Sequence, residues 1–373
     1  YLASNYQNGS APPNAREGDA AGQTVILSTV GGSDDDSQVP DCSTIFIGSA
    51  VVAGSADGGW QALPQLVGFE LDRSLVINGA TQPLYIENTK DYTKIKRVII
   101  GQPGKPRDAW KYSNLFRNSL ICAVANSSVP TTLADVLIAA PMWLDEEDAQ
   151  AGAAQSTDLY WSNGGWSVGS QSRGPNGASV STFEVMDRLI DRFLNTTEFP
   201  AVTSIIVAGH SLGASFAQRY AMLRKPTSQD ASISFWVGNP GAYVWPTSER
   251  PVQPASSNCS SSVDEWAYGI GGSLPAYRIS DVNRNKTGVY QEYFGRRVQY
   301  ALGLEDDGPG DTHCEAQYQG SSHLERGQNM EKALDGLPGG KPASHTFNYV
   351  PNTSHEDYKM MANAASQDYL FAQ

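Results

Sequence analysis

Residues 203–220, TSIIVAGHSLGASFAQRY, constrain this chain more than any other stretch. Ile205, Ile206, Val207 and Ala208 form an apolar run too short for a helix and suited to a strand covered on both faces. Leu212, Phe216, Ala217 and Tyr220 then recur at three- and four-residue spacing, which predicts a helix with one apolar face. Between them, Gly209-His210-Ser211-Leu212-Gly213 fits G-x-S-x-G, a strained strand-to-helix turn whose flanking glycines leave room for a serine. Such a turn lifts the Ser211 hydroxyl off the sheet edge. It also sets the Leu212 amide and a helix N-terminus beside the hydroxyl, where they can stabilise an oxyanion. Five letters of this kind arise by chance in a chain with 36 glycines, so the flanking strand and helix carry the reading. The plain alternative is a serine in an ordinary tight turn.

Taken in order, residues 1–23 are polar and read as an irregular arm. TVILSTV, STIFIGSAVVAG and residues 82–87, QPLYIE, read as antiparallel strands at one sheet edge. Residues 96–101 predict a buried strand, followed by a Gly- and Pro-rich turn, Gly101 to Asp108, that lets the backbone approach a ligand closely. The Gly104 or Lys105 amide is the expected second oxyanion donor, against a plain surface loop. A helix over 114–126 and a strand over 135–143 follow. An insertion from 144 to 180 then carries Tyr160, Trp161 and Trp166, which either line a substrate pocket or pack the loop on itself. Residues 181–194 predict a capped amphipathic helix and 232–238 a strand. A second insertion, about 240–295, lacks long periodicity and reads as a cap. Strands over 296–303 and 345–350 complete the pattern.

Carboxylates in a turn straight after a strand are what a triad needs to orient its histidine. In Leu304 to Asp311, Asp306 is the first choice and Asp307 and Asp311 compete with it. Of five histidines, His355 follows the last strand and precedes the last helix, and is the expected base. His210 lies inside the turn, His345 begins a strand, His323 heads a helix and His313 adjoins a half-cystine.

The net charge of −13 and a pI near 4.8 argue against nucleic acid or an anionic membrane as partner. No apolar run is long enough to span a bilayer, and a start at Tyr1 without methionine reads as a processed, secreted form. Cys42, Cys122, Cys259 and Cys314 lack metal-type spacing and suit two disulfides, with Cys42–Cys122 and Cys259–Cys314 expected. N-glycosylation sequons stand at Asn8, Asn126, Asn195, Asn258, Asn285 and Asn352.

The GHSLG turn, LGLEDD and NTSHED together resemble the α/β-hydrolases over residues 24–373. PGKPRDAW, GDTHCEAQYQGSSHLERG and VPNTSHEDY are similar to segments of a group of secreted fungal members. Members of that group often carry a histidine where this chain has Pro103. The resemblance implies an α/β-hydrolase fold: a mostly parallel, eight-stranded-type sheet with helices on both faces and cap-like insertions at 144–180 and 240–295. The expected activity is that of a serine hydrolase cleaving a small, apolar or aromatic carboxylic ester through Ser211, His355 and Asp306, with no cofactor or metal. A peptidase or amidase, an acyltransferase, a lyase and a non-catalytic binding protein are the other classes.

Overall fold

Val- and Ile-rich runs form the middle of one eight-stranded sheet, because a strand packed on both faces loses its polar alternation. The computed structural model describes residues 52–66, 68–125, 128–175, 177–254 and 259–372. The expected arm 1–23, TVILSTV, nine of the twelve residues of STIFIGSAVVAG, Cys42, Asn8, Asn126 and Asn258 lie outside the described residues.

The strands are β1 (Phe69–Asp72), β2 (Leu84–Glu87), β3 (Arg97–Gln102), β4 (Val136–Pro141), β5 (Ser204–His210), β6 (Ile233–Gly238), β7 (Arg297–Gly303) and β8 (His345–Val350). Their spatial order is β8-β7-β6-β5-β3-β4-β2-β1. β2 runs antiparallel to β1 and β4, and every other neighbouring pair is parallel. QPLYIE therefore supplies an antiparallel strand near the edge, as expected. Its edge partner is β1, a stretch that periodicity did not single out.

Alternation along β5 divides the core. Ile205 and Val207 pack into the layer of α3 (Thr182–Phe193), α4 (Leu212–Leu223), α5 (Ile279–Gly295) and α7 (His323–Asp335). Ile206 and Ala208 pack into the layer of α1 (Ala109–Ala125), α8 (Asp357–Ala362) and α9 (Ala364–Phe371). All four side chains are buried, so Ile206→Ala removes about 2–5 kcal/mol of stability. α3 begins as expected, with the Ser181 hydroxyl accepting from the Phe183 amide and Glu184 in the first turn.

Both insertions are built structures. The first pairs Leu144–Asp145 with Tyr160–Trp161 in a short parallel ladder and contains α2 (Glu146–Ala151), opened by a reciprocal Asp145/Asp148 capping box. The second corrects the expectation of an aperiodic cap, because α5 occupies its last third, bent where Asn285 leaves helical geometry. α5 buries only Val282, Val289 and Tyr293, so its apolar stripe is too sparse to register as a period. The Cys259–Cys314 disulfide forms as expected and ties this insertion to α6 (Cys314–Gln317), which follows the β7 turn. The expected Cys42–Cys122 pair lies outside the described residues through Cys42, and Cys122 is not a free thiol. Among the described residues no helix is long and apolar enough to cross a membrane.

Candidate active site

Ser211 takes φ 58° and ψ −125°, a region that L-residues avoid and that persists only where surroundings enforce it. Two close approaches do so. A β-carbon on Gly209 would collide with the Gly213 carbonyl. One on Gly213 would stand 2.5 Å from the Pro103 oxygen and 2.6 Å from the Gln102 oxygen. The first glycine lets the turn fold back on β5, and the second lets α4 start against the end of β3. The Ser211 amide donates to the Gly238 carbonyl at 2.9 Å, and its hydroxyl does not cap α4.

Parallel register brings the other expected residues to the same sheet edge. Gly303 at the end of β7 lies opposite Val350 at the end of β8, so both chains leave the sheet together. The two turns are stitched by Leu304 N–H to Val350 O and Glu305 N–H to Thr353 O, each 2.9 Å. Buried Asn239, just past β6, accepts from the Gly303 amide at 2.8 Å and donates to the Ser354 carbonyl at 3.1 Å. Sequence reading did not single it out; its position directly after a strand was the available signal.

This framework sets His355 Nδ1 2.8 Å from Asp306 Oδ2. Asp306 is wholly buried, whereas the His355 side chain is 31% exposed. The competing carboxylates stand elsewhere. Asp307 is exposed, and Asp311 accepts from the Tyr268 hydroxyl at 2.8 Å and contacts the His313 ring. Burial alone would raise the Asp306 carboxyl. The His323 and His355 imidazoles beside it outweigh burial and hold it well below the usual carboxylate range.

Two further histidines enclose His355. The His323 ring stacks on it at 4.2 Å between centroids, and the His210 ring lies 4.6 Å away. His323 Nδ1 lies 3.1 Å from Asp306 Oδ1 and 3.0 Å from the Gly308 carbonyl, so both oxygens share this side of the ring. Burial lowers the pKa of both His323 and His210, which keeps them neutral beside any imidazolium at His355. Asp306, His323 and His355 are also the three side chains, among the described residues, whose ligand atoms lie within 4.8 Å of one another, close enough for a metal ion. The Nδ1 atoms of both histidines already face oxygen partners within the protein.

A cavity of about 550 Å³ opens on Ser211, Leu212 and His355. Of the two residues weighed for the second donor amide, Lys105 is among those lining this cavity, whereas Gly104 is buried with the Tyr112 hydroxyl over its α-carbon. The Leu212 amide, first in α4, has no acceptor inside the helix. The Lys105 loop is anchored by Arg107, which donates to both Asp148 oxygens at 3.0 and 3.1 Å and contacts Asp145 at 3.0 Å. Trp166 lines the cavity, stacked on Trp143 and tilted against Phe216.

Tyr160 and Trp161 correct the expected pocket, since neither is among its lining residues. Trp161 is fully buried edge-on to Trp143 and donates to the Val180 carbonyl, and Tyr160 packs over Gly174. Of the described sequons, Asn195, Asn285 and Asn352 are all exposed. A second cleft of about 540 Å³, lined by Asp187, Arg188, Arg224 and Tyr277 among others, contains neither Ser211 nor His355.

No protein-family model and no curated protein sequence matches the chain. Solved structures do. Poly(aspartic acid) hydrolase-1 from Sphingomonas sp. KT-1 aligns with a TM-score of 0.55 and 16% identity, covering 81% of this chain and 98% of that one. The LpqC poly(3-hydroxybutyrate) depolymerase from Bordetella parapertussis aligns with a TM-score of 0.50 and 17% identity, covering 80% and 90%. At such identities the likeness is one of fold, and the fold is that of the α/β-hydrolases.

Proposed function

We propose that this chain is a serine hydrolase that cleaves a carboxylic ester through an acyl-enzyme. The observation that carries the reading is the strained Ser211 in a cavity that His355 also lines, itself bonded to buried Asp306 at 2.8 Å. His355 Nε2 takes the Ser211 proton as the oxygen attacks the ester carbonyl. Nδ1–H stays bonded to Asp306, which fixes the tautomer and offsets the positive charge on the ring. The Leu212 and Lys105 amides receive the developing oxyanion, each contributing about 3 kcal/mol to the transition state. His355 then returns the proton to the leaving alcohol, and water resolves the acyl-enzyme by the same route.

The two fold relatives are named as a hydrolase and a depolymerase, in keeping with this chemistry. An apolar or aromatic portion of the substrate fits against Trp166, the one cavity aromatic of the three expected. We place the protein outside the cell, as a glycoprotein of the secreted fungal kind. The support is the Cys259–Cys314 disulfide and the exposed Asn195, Asn285 and Asn352 sequons.

Hydrolysis of p-nitrophenyl acetate, butyrate and octanoate tests the activity. Wild type is expected to turn over at least one of them and Ser211→Ala none. Equal rates for the two proteins would overturn the reading.

A further inference from the structure

Ser211, Ser215 and Arg219 follow one another at four-residue intervals along α4, so they share one face of the helix, and all three line the cavity. Side chains on a helix lean toward its N-terminus, which carries the Arg219 guanidinium back toward Ser211. Ser215 is committed, since its hydroxyl donates to the Ala242 carbonyl at 3.1 Å. Arg219 is not committed in the same way.

The residue is 4% exposed, yet no carboxylate lies within ion-pair distance of its guanidinium among the described residues. Arg107, Arg224 and Arg278, also buried, each contact acidic side chains, whereas buried Arg326 is held by the Gly320 and Gly241 carbonyls through Nε and Nη1. Arg219 is held only by Nη1, which donates to the Ser167 carbonyl at 3.2 Å and lies 3.4 Å from the Ser167 hydroxyl. Its Nε is buried without a partner. Asp311, a carboxylate that also lines the cavity, acts on the guanidinium only from beyond ion-pair distance and is itself engaged by the Tyr268 hydroxyl and the His313 ring. A buried cation without a counter-ion is costly, and a fork of N–H donors suits a carboxylate above other groups. Lys105 adds an exposed ammonium at the cavity rim, and among the described residues no carboxylate pairs with it.

We propose that Arg219 is an anion-binding subsite, and that the substrate is an ester carrying a carboxylate a few bonds from the scissile carbonyl. The proposal deepens the serine-hydrolase reading and rests on it. The substrate spans the cavity with its ester at Ser211, its carboxylate on the Arg219 fork and its chain against Trp166. The charged cavity thus narrows the expectation of a purely apolar substrate.

The test pairs two esters of similar length, p-nitrophenyl hexanoate and mono-p-nitrophenyl adipate, and adds calorimetric binding of adipate itself. Wild type is expected to favour the adipate ester. In Arg219→Gln the ratio of kcat/KM for adipate over hexanoate should fall about 10- to 100-fold, the range that a lost charge-assisted hydrogen bond gives. Arg219→Lys should keep part of the preference. Adipate should bind wild type and Ser211→Ala alike, more weakly as salt is raised, and should lose affinity in Arg219→Gln. Equal turnover of both esters by wild type, together with no measurable adipate binding, overturns the subsite while leaving the hydrolase reading intact. Should wild type cleave neither ester, the hydrolase reading fails, and adipate binding still decides the subsite. If Arg219→Gln does not fold, Arg219→Lys and the salt dependence of the wild type carry the decision.

Discussion

Gly213→Ala turns the contact between the elbow and the β3 loop into a measurable quantity. The added β-carbon would lie 2.5 Å and 2.6 Å from the Pro103 and Gln102 oxygens, where ordinary contact begins near 3.4 Å. Both oxygens are backbone, so no side chain can swing aside. The strain is relieved only by moving the loop that carries the Lys105 amide. Overpacking of this kind costs about 1–3 kcal/mol, and alanine returns up to about 1 kcal/mol through its helix propensity. With the full return the net is a loss of about 0–2 kcal/mol and a fall in Tm of at most a few degrees. Turnover should suffer much more, because displacing one oxyanion donor costs on the order of 10²–10³ in kcat. The assay is differential scanning fluorimetry beside kcat for the best p-nitrophenyl ester. Gly295→Ala serves as control, since its β-carbon would meet nothing within 4 Å. A folded Gly213→Ala enzyme with wild-type kcat would refute the assignment of the Lys105 loop to the oxyanion.

Asp306→Asn keeps the size of the side chain and removes the charge that fixes the His355 tautomer. It should lower kcat by on the order of 10⁴ with little change in KM, read from steady-state kinetics on the same ester. His345 is buried with Nδ1 on the Tyr300 hydroxyl and Nε2 on the Tyr293 carbonyl, and burial lowers its pKa to about 4. The unfolded histidine, near 6.5, therefore binds a proton that the native one refuses, so stability falls as pH drops from about 6.5 to about 4. The loss is of order 3 kcal/mol, and the stability advantage of wild type over His345→Asn should shrink across that window. A constant difference in denaturant midpoints from pH 7 to 4 would show that His345 does not titrate in this way.

Which parts of the structure were legible in the sequence follows from how local their causes are. The elbow was readable because strand, turn and helix each leave a signal within a few residues, and the glycines at 209 and 213 answer to contacts inside the same motif. Asp306 and His355 were nameable from their places after β7 and β8, since parallel register carries both turns to one edge. The aromatic insertion left two roles open because composition does not distinguish a pocket wall from a core. Trp161 and Trp166 are five residues apart, and only the packing of Trp143 and Phe216 decides which one faces the cavity. β1 was missed because four residues, FELD, with both buried and exposed positions leave no period to read. The stack of His323 on His355 joins residues 32 positions apart through a shared carboxylate, and no local pattern announces it. Arg219 was available from its spacing behind Ser211. Its lack of a counter-ion was a fact of tertiary structure.

The most direct test of the account is covalent labelling of Ser211. A fluorophosphonate phosphonylates a serine, forming an O–P bond as the P–F bond breaks and fluoride leaves, and does so rapidly where a base withdraws the serine proton and an oxyanion hole receives the phosphonyl oxygen. Intact-mass spectrometry with peptide mapping should find one adduct on wild type, located at Ser211. Ser211→Ala should carry none, and His355→Ala should be labelled far more slowly. A folded wild type that stays unmodified, or an adduct on another residue with Ser211 untouched, would contradict the claim that this turn carries the nucleophile.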